Sequence, residues 1–187
     1  DAVAWAAALP YADGQVGMYG ASYFGFTQWS AAIQRPPALR ALVPLNTWSD
    51  PLDGLAARGG ALELGVQASW NLEMGLGVLL RRYGNGPQAL AQAVYALSIE
   101  VDNLGQHGYW SLPLQDFAPL RRQAVAPSFF ATIADPVDPN AEPTAAAAIA
   151  GHQPGLLLPN LNIGGWYDIF LGGTLANYRT MHGQGAP

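Results

Sequence analysis

Residues 17–29, GMYGASYFGFTQW, place a serine among small residues where a strand-like run turns into a helical one. A serine hydroxyl is a weak nucleophile. Hydrolases activate it on a sharp strand-to-helix turn, where an imidazole accepts its proton and backbone N–H groups meet the oxyanion. Gly20, Ala21 and Gly25 supply the small side chains that such a turn requires. Ser22 is therefore a candidate nucleophile, and a structural role in a tight turn is the competing interpretation.

The residues after Ser22 bear on the stabilisation of negative charge. Tyr23 would open the following helix, so its N–H and the helix dipole would face a developing oxyanion. The sequence departs from the generic elbow motif at Phe24, because that motif has glycine two residues after the serine and here glycine comes one residue later. Tyr23 is thus a candidate oxyanion-hole residue.

Three aspartates are candidates for the acid that orients a catalytic histidine. Asp168 follows a strand-like run and a double glycine, and aromatic neighbours complete a loop suited to positioning a carboxylate. Asp50 and Asp53 follow another predicted strand at the edge where α/β sheets place catalytic groups. Asp-Pro and Asp-Gly pairs are also ordinary turn sequences, so Asp168 is preferred and the other two stay alternatives.

The elements that must position these residues alternate along the first part of the chain. Apolar spacing and breaker residues predict helices over 2–9 and 23–33, and short strands over 15–19 and 39–43. Helices and strands that alternate with short links are typical of a parallel α/β sheet.

Beyond residue 51 the pattern becomes helical and contains no persuasive strand until about residue 155. The predicted helices there cover 61–83, 87–101, 114–124 and 143–150. Strand character returns over 156–163, and a further helix is predicted over 172–182. The chain is therefore expected to leave the sheet for a helical insertion and then return to it.

Composition argues against several classes of function. Half of the 187 residues are hydrophobic, only 11% are charged and the net charge is −5, so no basic surface is expected for nucleic acid or anionic lipid. The absence of cysteine removes thiolate nucleophiles and Cys-based zinc sites. No metal-ligand spacing, phosphate loop or membrane-length apolar run occurs, so no cofactor, metal or membrane partner is expected.

Two segments resemble one known family. GMYGASYFGFTQWSAA is similar to the Gly-x-Ser-Tyr-x-Gly elbow of the cocaine esterase and X-Pro dipeptidyl-peptidase family of α/β-hydrolases, and NIGGWYDIFLGGTLANYRTM resembles its acid-bearing segment. The stretch between them, including GGALELGVQASW, resembles the family's helical cap. The resemblance implies a partial α/β-hydrolase parallel sheet with a helical cap insertion. Residues 1–50 and 156–187 would form the two parts of the core, and 51–155 the cap.

The resemblance also implies roles for individual residues. Ser22 would be the nucleophile, Asp168 the acid and Tyr23 the source of one oxyanion N–H. In the family the second oxyanion donor is a tyrosine that precedes the elbow, and here it would lie before the first residue.

Aromatic and acidic residues could bind the substrate. The resemblance places Trp70 and Phe170 in the substrate pocket, and Trp166 is a third substrate-binding candidate. Burial for packing is the competing explanation for Trp70 and Phe170. The carboxylates that could hold a substrate ammonium in a dipeptidyl-peptidase are Glu63, Glu73 and Asp50. Charged residues on helices more often form a solvated face.

The catalytic base is expected outside this chain. His107 and His152 precede Asp168, whereas α/β-hydrolases place the histidine after the acid, and both are expected to be surface or capping residues. His182 closes a helix directly after the acid, where a cation has a common structural role. The family places its histidine beyond one more helix and strand, so the chain is expected to be an internal fragment.

These features predict a serine hydrolase that cleaves ester or amide bonds through a Ser-His-Asp mechanism. The expected substrate is a small-molecule ester or a short peptide, and the choice between esterase and dipeptidyl-peptidase stays open. The alternative is a non-catalytic hydrolase-like domain that binds an apolar ligand or a protein partner.

Overall fold

The computed structural model describes residues 1–126 and 146–186, and the chain divides into two compact units. The first unit contains Asp1–Leu55 and Pro139–Pro187, and the second contains Ala56–Asp138. Each has a hydrophobic cluster of its own within the described residues.

The first unit combines strands and helices. Its elements are α1 (Ala2–Ala7), β1 (Val16–Ala21), α2 (Tyr23–Ile33), β2 (Leu39–Leu45) and α6 (Leu171–Gly183). β1 and β2 pair in parallel. Residues 160 and 163 extend this sheet through parallel bridges to the other side of β2. The α/β class and the parallel pairing predicted for this part of the chain are confirmed.

One row of residues marks the carboxyl edge of this sheet. Ala21 of β1 lies opposite Leu45 of β2, and Leu45 bridges to Ile163. Because all three segments run in the same direction, the chain leaves each of them at the same edge. Ser22 follows the first segment, and the loop that contains Asp168 follows the third.

The core of the first unit packs α2 against the sheet. Trp29 and Ala32 lie one turn apart on α2 and are buried together with Leu42 of β2. Met181 of α6 and Ile149 join the same cluster. This packing fixes the start of α2 relative to the ends of the strands.

The second unit is mainly helical. Its elements are β3 (Ala57–Arg58), β4 (Ala61–Leu62), α3 (Leu64–Tyr83), α4 (Pro87–Asp102), 3₁₀ turns at Gly108–Trp110 and Leu114–Asp116, and α5 (Ala118–Gln123). Leu72 and Leu79 of α3 are buried with Phe117 and Leu120. Arg122 of α5 donates two hydrogen bonds of 2.6 Å to Glu100 of α4. The hydrogen bonding with Glu100 raises the pKa of Arg122, although burial opposes this effect.

Three segments of the structure differ from the elements predicted from the sequence. Residues 57–62 form a small antiparallel hairpin that was not expected, around a Gly59–Gly60 turn in which both φ angles are positive. The predicted strand over 156–163 is reduced to bridges at two residues, because Pro159 and Pro44 of the neighbouring β2 have no N–H for a regular ladder. The predicted helix over 114–124 is divided into a 3₁₀ turn and α5, with Pro119 in the first turn of α5.

The remaining helix prediction, over 143–150, begins outside the described residues, and residues 147–150 are not helical. None of the helices in the described ranges 1–126 and 146–186 is long and apolar enough to span a membrane.

Candidate active site

Ser22 occupies an unusual backbone conformation between β1 and α2. Its φ and ψ angles are 57° and −122°, in a region that disfavours residues with a side chain. Such a conformation costs on the order of 1–3 kcal/mol and persists only where the surrounding contacts enforce it. The residue is exposed, and its hydroxyl makes no capping hydrogen bond to α2. The side chain is therefore free to react with a molecule from solvent.

Two glycines allow the strand and the helix to approach each other at this turn. A Cβ atom added to Gly20 would lie 2.6 Å from the Cβ of Phe24, and one added to Gly25 would lie 2.7 Å from the Cβ of Thr47. Both distances are far below normal contact between carbon atoms. The small residues in the sequence motif thus have a steric explanation.

The main chain of Ser22 is held on both sides. Its amide nitrogen lies 2.9 Å from the carbonyl oxygen of Leu45, the last residue of β2, and 3.2 Å from that of Asn46. Its carbonyl oxygen accepts hydrogen bonds from two amides in the first turn of α2 and from the Thr47 hydroxyl, the last at 2.9 Å. These bonds fix the peptide groups on either side of the serine.

Tyr23 is the first residue of α2 and has no main-chain hydrogen-bond partner for its N–H among the described residues. N–H groups in the first helical turn lack intrahelical acceptors and carry the positive end of the helix dipole. The Tyr23 N–H is thus available to an oxyanion beside Ser22.

Asp168 lies in a tight loop between the third sheet segment and α6. Its N–H donates to Gly165 and its carbonyl accepts from Leu171, both at 3.1 Å. One carboxylate oxygen, Oδ2, is buried and has no hydrogen-bond partner among the described residues. A buried acceptor without a donor is costly and uncommon, so this oxygen is suited to accept an N–H from another group.

Ser22 and Asp168 follow sheet segments that are separated by β2. Two strand spacings amount to about 10 Å, so the two segment ends are too far apart for groups directly beside them to share a hydrogen bond. A third side chain that hydrogen-bonds to both would have to lie between them.

The alternative acids have other surroundings. Asp50 Oδ1 accepts a 2.8 Å hydrogen bond from the N–H of Leu52, which is the usual arrangement of an aspartate in a turn. Asp53 is exposed in the same turn. Asp50 therefore already has a local structural contact, which the buried Oδ2 of Asp168 lacks.

The three predicted substrate-binding aromatics lie in different environments. Phe170 is only 6% exposed, and its ring lies 5.5 Å from that of Trp48, which stacks on Phe26 at 5.1 Å. Trp166 is 84% exposed on the loop of Asp168. Trp70, on α3 of the second unit, is 55% exposed.

The histidines of the chain are all exposed. His107 precedes a 3₁₀ turn, His152 lies in a turn, and His182 stacks on Tyr178 with the ring centroids 5.6 Å apart. None of the three donates a hydrogen bond to Asp168 Oδ2. In the part of the chain that the structure describes, no group of three or more His, Asp or Glu residues could hold a metal ion.

The sequence patterns did not reveal the buried polar residues around the Ser22 turn. Gln28, Thr47 and Thr174 are at most 6% exposed, and each donates a side-chain hydrogen bond to a main-chain carbonyl. The only signal in the sequence was Gln28, a polar residue beside the apolar face of a predicted helix. That position does not identify its hydrogen-bond partners.

The first unit, in which a parallel sheet packs against helices, defines an α/β protein. Parallel sheets of this kind bind ligands at the carboxyl edge, where Ser22 and Asp168 lie here. The chain belongs to the X-Pro dipeptidyl-peptidase (S15 family), whose model matches residues 1–186. It is also 31% identical over 182 residues to the cocaine esterase of Rhodococcus sp. (strain MB1 Bresler). That match covers 95% of this chain and 30% of the relative, so the chain spans about 30% of the relative's length. The predicted family is confirmed.

Proposed function

We propose that the chain carries the nucleophile and the acid of a serine hydrolase that cleaves ester or amide bonds. The main supporting observation is the strained, exposed Ser22 at the carboxyl edge of the sheet, directly before a helix N-terminus. Backbone strain at a non-glycine residue is a frequent feature of functional sites. The family to which the chain belongs is named for a peptidase, which is a hydrolase.

The proposed reaction begins with attack of Ser22 Oγ on a substrate carbonyl carbon. A histidine outside this chain accepts the hydroxyl proton and later transfers it to the leaving alcohol or amine. The Tyr23 N–H and the α2 dipole stabilise the negative charge on the carbonyl oxygen. Water then hydrolyses the acyl-enzyme by the same route.

Asp168 is proposed to orient that histidine and stabilise its charged form. Its buried Oδ2 is suited to accept the imidazole N–H, and a ring placed between two side chains would bridge the separation from Ser22. This assignment favours Asp168 over Asp50, whose carboxylate binds its own turn.

The substrate pocket is proposed to include the exposed Trp166 beside Asp168, with Phe170 supporting the loop from beneath. Residues 51–155 are proposed as a helical cap inserted in the sequence between core segments 1–50 and 156–187, and Trp70 stays a proposed substrate-binding residue. Both an ester and a short peptide remain proposed substrates, since the relative is named an esterase and the family a dipeptidyl-peptidase.

The proposed ammonium-binding carboxylates have different surroundings. Glu63 is paired with Arg58 at 2.6 Å, and Asp50 is bound in its turn. Glu73 is exposed on α3. Of these three carboxylates, Glu73 is therefore the one without such a contact among the described residues, and it stays a proposed ammonium-binding position.

The test of the nucleophile is covalent labelling of the full-length gene product with a fluorophosphonate. We expect one labelled peptide that contains Ser22, loss of labelling in Ser22→Ala, and normal labelling in the control Ser98→Ala, which changes an exposed serine on α4. Asp168→Asn should retain the fold and lower kcat by about 10⁴-fold, because the histidine would then be held in the wrong tautomer. An unlabelled, folded protein would instead favour the non-catalytic domain that binds an apolar ligand or a partner chain.

A further inference from the structure

We propose that Gln28 is a positioning residue whose buried amide holds the Ser22 turn in its reactive conformation. This inference rests on the proposed role of Ser22 as the nucleophile. Gln28 lies on α2 and is fully buried, and its side-chain hydrogen bonds all join main-chain groups.

The amide of Gln28 connects the two sides of the turn. Its Nε2 lies 3.1 Å from the carbonyl oxygen of Gly20 and 3.0 Å from that of Phe24, two residues before and two residues after Ser22. A single side-chain nitrogen therefore binds both ends of the five-residue segment that contains the serine.

The same amide also binds the neighbouring strand. Nε2 lies 3.3 Å from the carbonyl oxygen of Val43, and Oε1 accepts a 3.0 Å hydrogen bond from the N–H of that residue. Since Val43 offers a donor to Oε1 and the other partners are all carbonyl oxygens, only one orientation of the amide satisfies them. Val43 lies opposite Tyr19 in the parallel pair, so the amide of Gln28 fixes the position of the turn relative to the paired strands.

The arrangement suits positioning more than general stability. β1 and β2 already pair along their lengths from Val16 to Ala21, and α2 is anchored by the buried Trp29. The two carbonyls that Gln28 binds beside the strained serine belong to Gly20 and Phe24, and the second also accepts a 3.1 Å hydrogen bond from the Thr27 hydroxyl. Without its amide, the carbonyls of Gly20 and Phe24 would lose a partner and the turn could relax toward an unstrained conformation.

The test compares Gln28→Met with a matched control, Gln153→Met, in the full-length gene product. Gln153 is also buried in the first unit, and its amide donates a 2.9 Å hydrogen bond to Asn177. Met fills a similar volume and forms no comparable hydrogen bonds. The readouts are the rate constant for fluorophosphonate labelling at Ser22, kcat and KM for a neutral ester, and the urea midpoint.

We expect Gln28→Met to lower the labelling rate and kcat by about 10–100-fold with little change in KM, as a small misplacement of a reacting group does. Gln153→Met should lose a similar amount of stability and label within about twofold of wild type. Gln28→Glu keeps the shape and the acceptor for Val43 but offers at most one O–H donor, so it cannot bind both Gly20 and Phe24 and should lower labelling in the same way.

Several outcomes would overturn the proposal. Folded Gln28 variants that label at the wild-type rate would do so, as would a loss of labelling equal to that of Gln153→Met. Failure of both Gln28 variants to fold would also overturn it, because the amide would then hold the fold and not the turn. If wild type itself is not labelled at Ser22, the proposed function fails and not only the role of Gln28.

Discussion

The hydroxyl of Thr47 donates a 2.9 Å hydrogen bond to the main-chain carbonyl oxygen of Ser22. Thr47 lies two residues past the end of β2, and its own carbonyl oxygen accepts a 3.3 Å hydrogen bond from the hydroxyl of Thr174. Thr174 belongs to α6, the helix that begins directly after the Asp168 loop. Two buried hydroxyls therefore connect the candidate nucleophile to the helix that follows the candidate acid.

Replacing Thr47 by valine removes one of these hydroxyls while keeping the side-chain shape. We expect Thr47→Val to lower the free energy of unfolding by about 1 kcal/mol. The Ser22 carbonyl oxygen keeps its two amide donors and loses only the Thr47 hydroxyl. Urea denaturation measures this change. Thr180→Val, at an exposed position of α6, is the control and should change stability by less than about 0.5 kcal/mol. Equal effects in both variants would contradict a role for the Thr47 hydroxyl.

Adding a methyl group at Gly25 tests the close approach of α2 to the segment after β2. In an unconstrained helix, Gly→Ala stabilises by about 0.5–1 kcal/mol. Here the new Cβ would lie 2.7 Å from Thr47 Cβ, so Gly25→Ala should instead destabilise by about 1–3 kcal/mol. Gly17→Ala in β1, where a Cβ meets nothing within 4 Å, is the matched control and should be neutral or stabilising. Thermal unfolding of both variants distinguishes the two signs.

The packing of α6 gives a second pair of glycines with opposite expectations, and these two are adjacent in sequence. A Cβ on Gly173 would lie 2.5 Å from the backbone nitrogen of Ser49 and 2.8 Å from the Cα of Trp48, and backbone cannot rotate away. Gly173→Ala should therefore destabilise by about 3 kcal/mol and disturb the Asp168 loop. Gly172→Ala meets only Asp53 Oδ2 at 3.6 Å, and it should be neutral or slightly stabilising. The urea midpoint of Gly173→Ala should lie below the wild-type value, and that of Gly172→Ala should lie at or slightly above it.

The second unit offers a test of its one two-bond ion pair among the described residues, between Arg122 and Glu100. Both hydrogen bonds measure 2.6 Å, and the Glu100 side chain is mostly buried while that of Arg122 is more than half exposed. A double-mutant cycle with Glu100→Gln and Arg122→Gln should give a coupling energy of about 1 kcal/mol, reduced for the exposure of the arginine. The pair of Arg121 and Asp116, exposed on both sides, should couple more weakly and lose its coupling in high salt. A stronger coupling in the exposed pair would reverse this ranking.

Local patterns in the sequence predicted much of the first unit. The strands β1 and β2 and the helix α2 follow from short apolar runs, three- and four-residue spacing and proline breakers, all of which act within a few residues. The third sheet segment was predicted too long, because Pro159 and Pro44 of the neighbouring β2 both lack the N–H that a regular parallel ladder needs. The hairpin at 57–62 carried a Gly-Gly turn signal, but its strands are only two residues each.

The polar contacts of the candidate site could not be derived in the same way. Gln28 is one of several polar residues on α2, and its importance depends on the register that places Tyr19 opposite Val43, far apart in the sequence. The exposed Trp166 and the buried Phe170 lie four residues apart in one aromatic-rich loop, and their different burial depends on Trp48 in another segment. Contacts between segments distant in the sequence decide both the hydrogen bonds of Gln28 and the burial of these two aromatic residues. The spacing of residues along the chain does not specify such contacts.

The backbone strain at Ser22 predicts a trade-off between stability and reactivity. A glycine adopts a φ angle of 57° without steric penalty, so Ser22→Gly releases strain on the order of 1–3 kcal/mol. Glycine also increases the conformational freedom of the unfolded chain, which offsets about 0.5–1 kcal/mol of that gain. We therefore expect Ser22→Gly to be about 1 kcal/mol more stable than Ser22→Ala, which keeps the Cβ and hence the strain.

Urea denaturation of Ser22→Gly and Ser22→Ala isolates this effect, because both variants lack the hydroxyl and neither can be labelled by a fluorophosphonate. The difference in their unfolding free energies then reports the backbone alone. A Ser22→Gly variant no more stable than Ser22→Ala would mean that the turn stores no more strain than the roughly 0.5–1 kcal/mol by which glycine favours the unfolded chain. Since the amide of Gln28 is proposed to enforce that strain, the advantage of glycine should shrink when Gln28→Met is introduced into both backgrounds, as expected for two groups that act on one turn.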